Sequence, residues 1–279
     1  YDVLEQEQID RTLIELDGTT NKEKLGANAM LSVSLACADA GSKFMNTHLF
    51  KYIGGKKSFR MPKPMLNIIN GGAHANNNLT FQEFMIVPNN YKSFSEAMQK
   101  SSEVFHSLKK ILNKEGRSTA VGDEGGFAPD LKNEEEACIL IKKAITSSGY
   151  KLGKDFFIAL DVAASEFYKN KKYKIFSVKK SLSSREFSKF LMNLCQKYSI
   201  ISIEDPFSEE DWSAWVNFNR EYGDKLKIIG DDIFTTNMKL IERGIKMKAA
   251  NAVLIKLNQI GTLTETLNAI EMAQTNGLE

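Results

Sequence analysis

Four short apolar runs in this chain each end on charge. Phe156–Leu160 leads into Asp161, Ile200–Ile203 into Glu204 and Asp205, Lys227–Gly230 into Asp231 and Asp232, and Ala252–Ile255 into Lys256. Each run is too short for a helix and lacks alternation, which predicts a strand buried on both faces. Barrels and open α/β sheets carry their sites at the C-terminal ends of strands, so Asp161, Glu204, Asp231 and Lys256 are expected to converge on one mouth. Three carboxylates held together cannot all stay ionised without positive charge among them. Oxygen ligands from separate strands suit Mg²⁺, which keeps water and substrate oxygens in its remaining positions. Beside such a cation Lys256 loses its proton more readily and becomes a general base.

Taken singly, each acid reads as a helix cap or the partner of a lysine, and Lys256 as a side chain snorkelling into solvent. The three acids together favour the metal. A second constellation lies in loops: Gly122-Asp123-Glu124-Gly125-Gly126 sets Glu124 between glycines, where the backbone can pass close to a ligand. The loop around His74 and the pair Gln82-Glu83, at the head of a strand, add polar groups near the same mouth, whereas His48 and His106 read as ordinary. A carboxylate-held metal with a lysine base suggests removal of a proton next to a carboxylate, since the resulting dianion needs concentrated positive charge. If Glu124 protonates a leaving hydroxyl, the net reaction is β-elimination of water.

The elements that must position these groups are legible in outline. The chain has 279 residues, 42% of them hydrophobic, and a formal charge of +2. It can therefore bury a full core, and nothing global points to nucleic acid or an anionic membrane. No apolar stretch approaches the roughly 18 residues of a membrane span and no signal segment opens the chain, so a cytoplasmic protein is expected. Cys37, Cys138 and Cys195 are odd in number and sit in apolar helical contexts, as free thiols do. Helices are predicted over 5–16 and 27–44, the second with a break at Gly41. Further helices are capped by Ser93 with Glu96, Asn133 with Glu136, Ser183 with Glu186 and Thr262 with Glu265. The lysine-rich Tyr168–Lys174 stretch reads as a solvated hairpin turning near Asn170. The Ser58–Pro64 segment, with its two prolines, marks a boundary between residues 1–60 and 61–279. Counted from Met65, six candidate strands alternate with helices, and the spacings of 27 residues from Glu204 to Asp231 and 25 from Asp231 to Lys256 fit strand-helix units of a barrel.

These residues are specific enough for a family resemblance. The chain resembles enolase in seven ordered motifs: Asn70-Gly71-Gly72-Ala73-His74-Ala75, Gln82-Glu83-Phe84-Met85, Gly122–Gly126, Asp161-Val162-Ala163-Ala164-Ser165-Glu166-Phe167-Tyr168, Ser202-Ile203-Glu204-Asp205-Pro206, Gly230-Asp231-Asp232 and Leu254–Thr262. The segment Lys22–Ala29 extends the likeness towards the start. The resemblance implies an α/β fold, an irregular enolase-type (β/α)8 barrel with six of its eight strands here, preceded by the mostly helical tail of an α+β domain. It implies reversible dehydration of 2-phosphoglycerate to phosphoenolpyruvate, with Lys256 as base and Glu124 as acid. Asp161, Glu204 and Asp231 match the ligands of one Mg²⁺, and a second Mg²⁺ arrives with substrate. His74, Gln82 and Glu83 match substrate-contacting positions, and Glu204 and Asp231 face substrate as well. A lysine or histidine base with one or two Mg²⁺ ions is an established pattern of this superfamily.

The family is usually homodimeric, and its members are also found at cell surfaces, secreted without a signal peptide and bound to host proteins. The family's serine loop would precede Tyr1, and its Ser-His-Arg-Ser motif and second active-site lysine would follow Glu279. The chain is thus expected to be part of a longer enolase, inactive alone and poorly soluble because the Met65–Asn70 and Ala252–Lys256 strands are left as edges. Two rival readings remain: a racemase or cycloisomerase of the same superfamily, and a non-catalytic surface-binding role through the Lys169–Lys180 stretch.

Overall fold

The computed structural model describes residues 1–55 and 59–279, so Ser58, at the head of the Ser58–Pro64 break, lies outside the described residues. In chain order it forms helices α1 (Gln6–Asp17), α2 (Ala27–Phe44) and α3 (Leu49–Gly54), strands β1 (Leu66–Asn70) and β2 (Glu83–Pro88), and helices α4 (Phe94–Lys114) and α5 (Glu134–Ser147). Strand β3 (Phe156–Asp161), the short strands β4 (Tyr168–Lys169) and β5 (Lys172–Tyr173), helix α6 (Ser184–Tyr198), strand β6 (Ile200–Glu204), helix α7 (Trp212–Tyr222) and strand β7 (Lys227–Gly230) follow. Helix α8 (Met238–Met247), strand β8 (Ala252–Val253) and helices α9 (Leu257–Ile260) and α10 (Leu263–Thr275) complete it. Two compact units result: residues 61–233 with 248–251, and residues 1–60 with 234–247 and 252–279.

The larger unit is built on strands in the order β1-β2-β3-β6-β7. Strand β2 runs antiparallel to both neighbours, while β3, β6 and β7 run parallel. Chain connectivity explains the reversal. Residues 71–82 return from β1 to β2 without a helical crossover, and the two helices α4 and α5 between β2 and β3 return the chain once more. Glu83, first residue of β2, therefore lies opposite Asp161, last residue of β3, and Asp161 opposite Glu204 of β6. Beneath this acidic row lie Met85, Ala159 and Val87, a buried cluster with Phe157 and Ile201 against it. Leu160, Ile86 and Ile158 alternate with these residues and are fully buried too, so the sheet is apolar on both faces, as the unalternating runs require.

Helix starts follow their caps. The Ser93 hydroxyl accepts the Glu96 N–H at 3.1 Å and the Asn133 side chain accepts the Glu136 N–H at 2.9 Å, while Ser183 and Glu186 form a complete capping box. The lysine-rich hairpin forms as β4 and β5, and Asn170 and Lys171 both take positive φ, the geometry of a tight two-residue turn. Cys138 and Cys195 are buried free thiols, and Cys37 is half-buried and free.

Two expectations are corrected in the smaller unit. Helix α2 runs through Gly41 to Phe44 instead of breaking. A Cβ at Gly41 would lie 2.7 Å from the Tyr52 hydroxyl of α3, so the glycine makes room for a neighbouring helix. The strand leading to Lys256 is only Ala252–Val253, and Lys256 instead occupies the N-cap of α9. Backbone donors here find loop partners: the Val253 N–H bonds the Glu279 carbonyl at 3.0 Å, and the Lys256 N–H bonds the Thr236 hydroxyl at 2.9 Å.

Candidate active site

Asp161, Glu204 and Asp231 are all buried at the strand ends of the larger unit. Asp161 and Glu204 end their strands, whereas Asp231 follows the last residue of β7. Carboxylate oxygens of Asp161, Glu204 and Asp205 lie within 4.8 Å of one another, as do those of Asp205, Asp231 and Asp232. Asp205 thus bridges the two groups, a role its place beside Glu204 in sequence did not reveal. Its two oxygens accept the backbone N–H groups of Asp231 at 3.1 Å and Asp232 at 2.8 Å. Asp205 itself sits at φ 41°, a strained conformation for a non-glycine residue. It is a buried staple that fixes the turn carrying Asp231.

The electrostatics of the mouth are those of crowded acids. Burial, then the charge of Glu83, pushes Asp161 up to about 7, although the Gln82 amide and Ala163 N–H bonds to its carboxylate work the other way. Burial, then the charge of Asp161, pushes Glu204 up to about 10, and Asp205 is raised well above its ordinary range, first by burial. Oxygen donors driven towards their neutral forms by burial and mutual repulsion are what a hard divalent cation relieves, so this donor set fits one.

The second constellation assembles against the first. The Gln82 side-chain amide donates to Asp161 at 2.9 Å. His74 Nδ1 lies 3.5 Å from a Glu83 oxygen and 3.9 Å from a Glu124 oxygen, with Glu124 exposed and the other two half-buried. The Glu124 loop is held from below: the Gly126 N–H donates to the buried Asn70 side chain at 2.8 Å, and the Asp123 N–H to the His74 carbonyl at 3.1 Å. A Cβ at Gly122 would lie 2.5 Å from the His74 carbonyl, so that glycine is required by close backbone approach. Asn70 is the second residue whose role sequence reasoning missed. An asparagine before two glycines reads as turn chemistry until its buried amide is seen gripping another loop.

Lys256 belongs to the smaller unit, where its side chain is exposed and its backbone is anchored to Thr236. Thr236 in turn donates its hydroxyl to Gln259 at 3.0 Å and holds φ at 54°.

Strand ends lined with buried carboxylates, beside an exposed glutamate on a glycine-framed loop, are the arrangement in which an α/β barrel carries a candidate site at its mouth. The family model described as "Enolase, C-terminal TIM barrel domain" matches residues 58–279, and "Enolase, N-terminal domain" matches residues 1–53. The chain belongs to the enolase family. It is an enolase-superfamily lyase on a TIM-barrel fold, and the family is generally metal-dependent and acts on small molecules.

Proposed function

We propose that this chain catalyses the reversible dehydration of 2-phosphoglycerate to phosphoenolpyruvate, as a phosphopyruvate hydratase. The observation that carries the reading is the meeting of His74, Glu83 and Glu124 beside Asp161 and Glu204. Relatives that racemise or cycloisomerise place their acid and base on barrel strands, whereas here a candidate acid comes from a loop against a histidine. Asp161, Glu204 and Asp231 would hold Mg²⁺, which supplies the positive charge that a doubly charged carboxylate-derived intermediate requires. Lys256 Nζ takes the proton from the carbon next to the substrate carboxylate. The electron pair left behind forms the new carbon–carbon double bond as the neighbouring hydroxyl departs, and Glu124 gives that hydroxyl its proton so that it leaves as water. His74, Gln82 and Glu83 orient the substrate. A second Mg²⁺ accompanying substrate, homodimeric assembly and a cytoplasmic location belong to the same reading.

The test is formation of phosphoenolpyruvate, followed by its absorbance, from 2-phosphoglycerate and Mg²⁺ by the protein as the cell makes it. Lys256→Ala and Glu124→Gln should each lower turnover by about 10²–10⁴, the usual weight of a positioned base or acid. Unimpaired turnover in either variant, or none in the parent, overturns the reading.

A further inference from the structure

Residues 71–82, which carry His74 and lead into Gln82, are tied down by a buried acid outside the mouth. Glu134, in the first turn of α5, is fully buried. One of its carboxylate oxygens accepts the Thr80 backbone N–H at 3.1 Å, and the other accepts the Ser177 hydroxyl at 2.6 Å. The Thr80 hydroxyl closes the circuit by accepting the Phe176 N–H at 2.9 Å. Three separate segments, around residues 80, 134 and 176–177, are thereby locked into one ring of hydrogen bonds.

The ring joins the site through two residues of backbone. Phe81 is fully buried among Phe84, Phe167, Phe187 and Phe190, so it transmits displacement instead of absorbing it. Gln82 follows, with its N–H on the Asp161 carbonyl at 3.1 Å and its amide on the Asp161 side chain. On the other side of Thr80, the Leu79 carbonyl accepts the Gly72 N–H at 3.0 Å, beside His74. Two neutral amides also hold the loop: Asn77 on the Asn70 and Pro129 carbonyls, and Asn78 on the Leu131 N–H. The Glu134 carboxyl group brings two acceptor oxygens to bear at once, one on the loop and one on the 176–177 segment, where each of these amides brings a single oxygen.

We propose that Glu134 is a positioning residue, whose buried carboxylate latches the 71–82 loop to the 176–177 segment and so holds His74 and Gln82 in place. The inference rests on the dehydratase reading only for its kinetic consequence. In Glu134→Ala both acceptors vanish, and the N–H of half-buried Thr80 loses its partner. In Glu134→Gln the carbonyl oxygen still accepts from Thr80, and the Ser177 hydroxyl can rotate to accept from the new amide, so this variant is the rescue.

Hydrogen exchange on the whole protein tests the latch directly. Exchange of the backbone amides of residues 72–82 should quicken by about tenfold or more in Glu134→Ala, by local opening, and return close to the parent rate in Glu134→Gln. Leu140→Ala on the same helix controls for general destabilisation and should leave those amides no faster than the rest of the unit. In the dehydratase assay Glu134→Ala should raise KM by about tenfold with a smaller change in kcat, again rescued by glutamine. Unchanged exchange at 72–82, equal acceleration throughout α4 and α5, or faster exchange with KM unmoved would each overturn the proposal. Should the parent not turn over 2-phosphoglycerate, the functional reading fails while the exchange measurement still decides the latch.

Discussion

Carboxylates at the mouth and carboxylates at the helix starts are the same chemical group in opposite settings. Glu186, at the start of α6, accepts the Ser183 N–H and hydroxyl at 2.9 Å each and the Lys180 ammonium at 2.7 Å. Lys180 first, then Ser183, pulls it down to about 2, and Glu96 is lowered in the same way by Lys100 and the Lys92 N–H. Asp161 and Glu204 are instead raised by burial and by other acids. The first group stabilises the fold by being charged; the second opposes the fold by being charged. An arrangement that opposes folding persists where another partner completes it, which makes the strained set, and not the satisfied one, the candidate site.

The sharpest way to break that contrast is to remove one member of each group. Glu204→Ala should weaken Mg²⁺ binding by about 100-fold or more in calorimetric titration, beyond the 10–100-fold cost of losing a group that merely supports a ligand. Glu186→Ala should leave that affinity unchanged. Equal effects from both would end the distinction.

A middle-sized effect concerns pH. Burial and mutual repulsion raise Asp161 and Glu204 together, so in the folded chain the pair holds protons above the ordinary carboxylate range in which the unfolded chain releases them. The folded state therefore binds more protons, and the metal-free protein should lose stability as pH rises from about 4 through about 7 and beyond. Melting temperature against pH checks this. Mg²⁺ at about 100 times its dissociation constant should add about 2.7 kcal/mol, or roughly 5–10 °C, near neutral pH.

Glu186 supplies the smallest effect and the opposite sign. Its folded pKa is depressed, so its contribution is present above the ordinary glutamate range and is lost as pH falls towards about 2. Glu186→Gln should flatten only the acid limb of the same melting curve.

Local signals carried much of this architecture. Capping pairs such as Ser183 with Glu186, and apolar runs ending at Asp161 and Glu204, announce themselves within a few residues. What stayed hidden depends on distant partners. Gly41 reads as a helix break until Tyr52 is seen against it, and α3 has no side-chain cap to betray it. The Lys256 N–H beyond β8 is taken by the Thr236 hydroxyl, and the role of Asp205 is set by backbone amides more than twenty residues away. The direction of β2 follows from a count of crossovers, which no single segment contains.

That reversed strand also divides the inheritance of the site. Asp161, Glu204 and Asp231 arrive at the ends of strands that all run one way, while Asn70, His74, Gln82 and Glu83 arrive on one unbroken stretch of chain, from the last residue of β1 to the first of β2. The groups that would grip a metal and those that would read a substrate are thus separate cassettes. Residues 70–83 could be exchanged as a block, by evolution or by design, to change what the mouth accepts while Asp161, Glu204 and Asp231 keep their places at the strand ends.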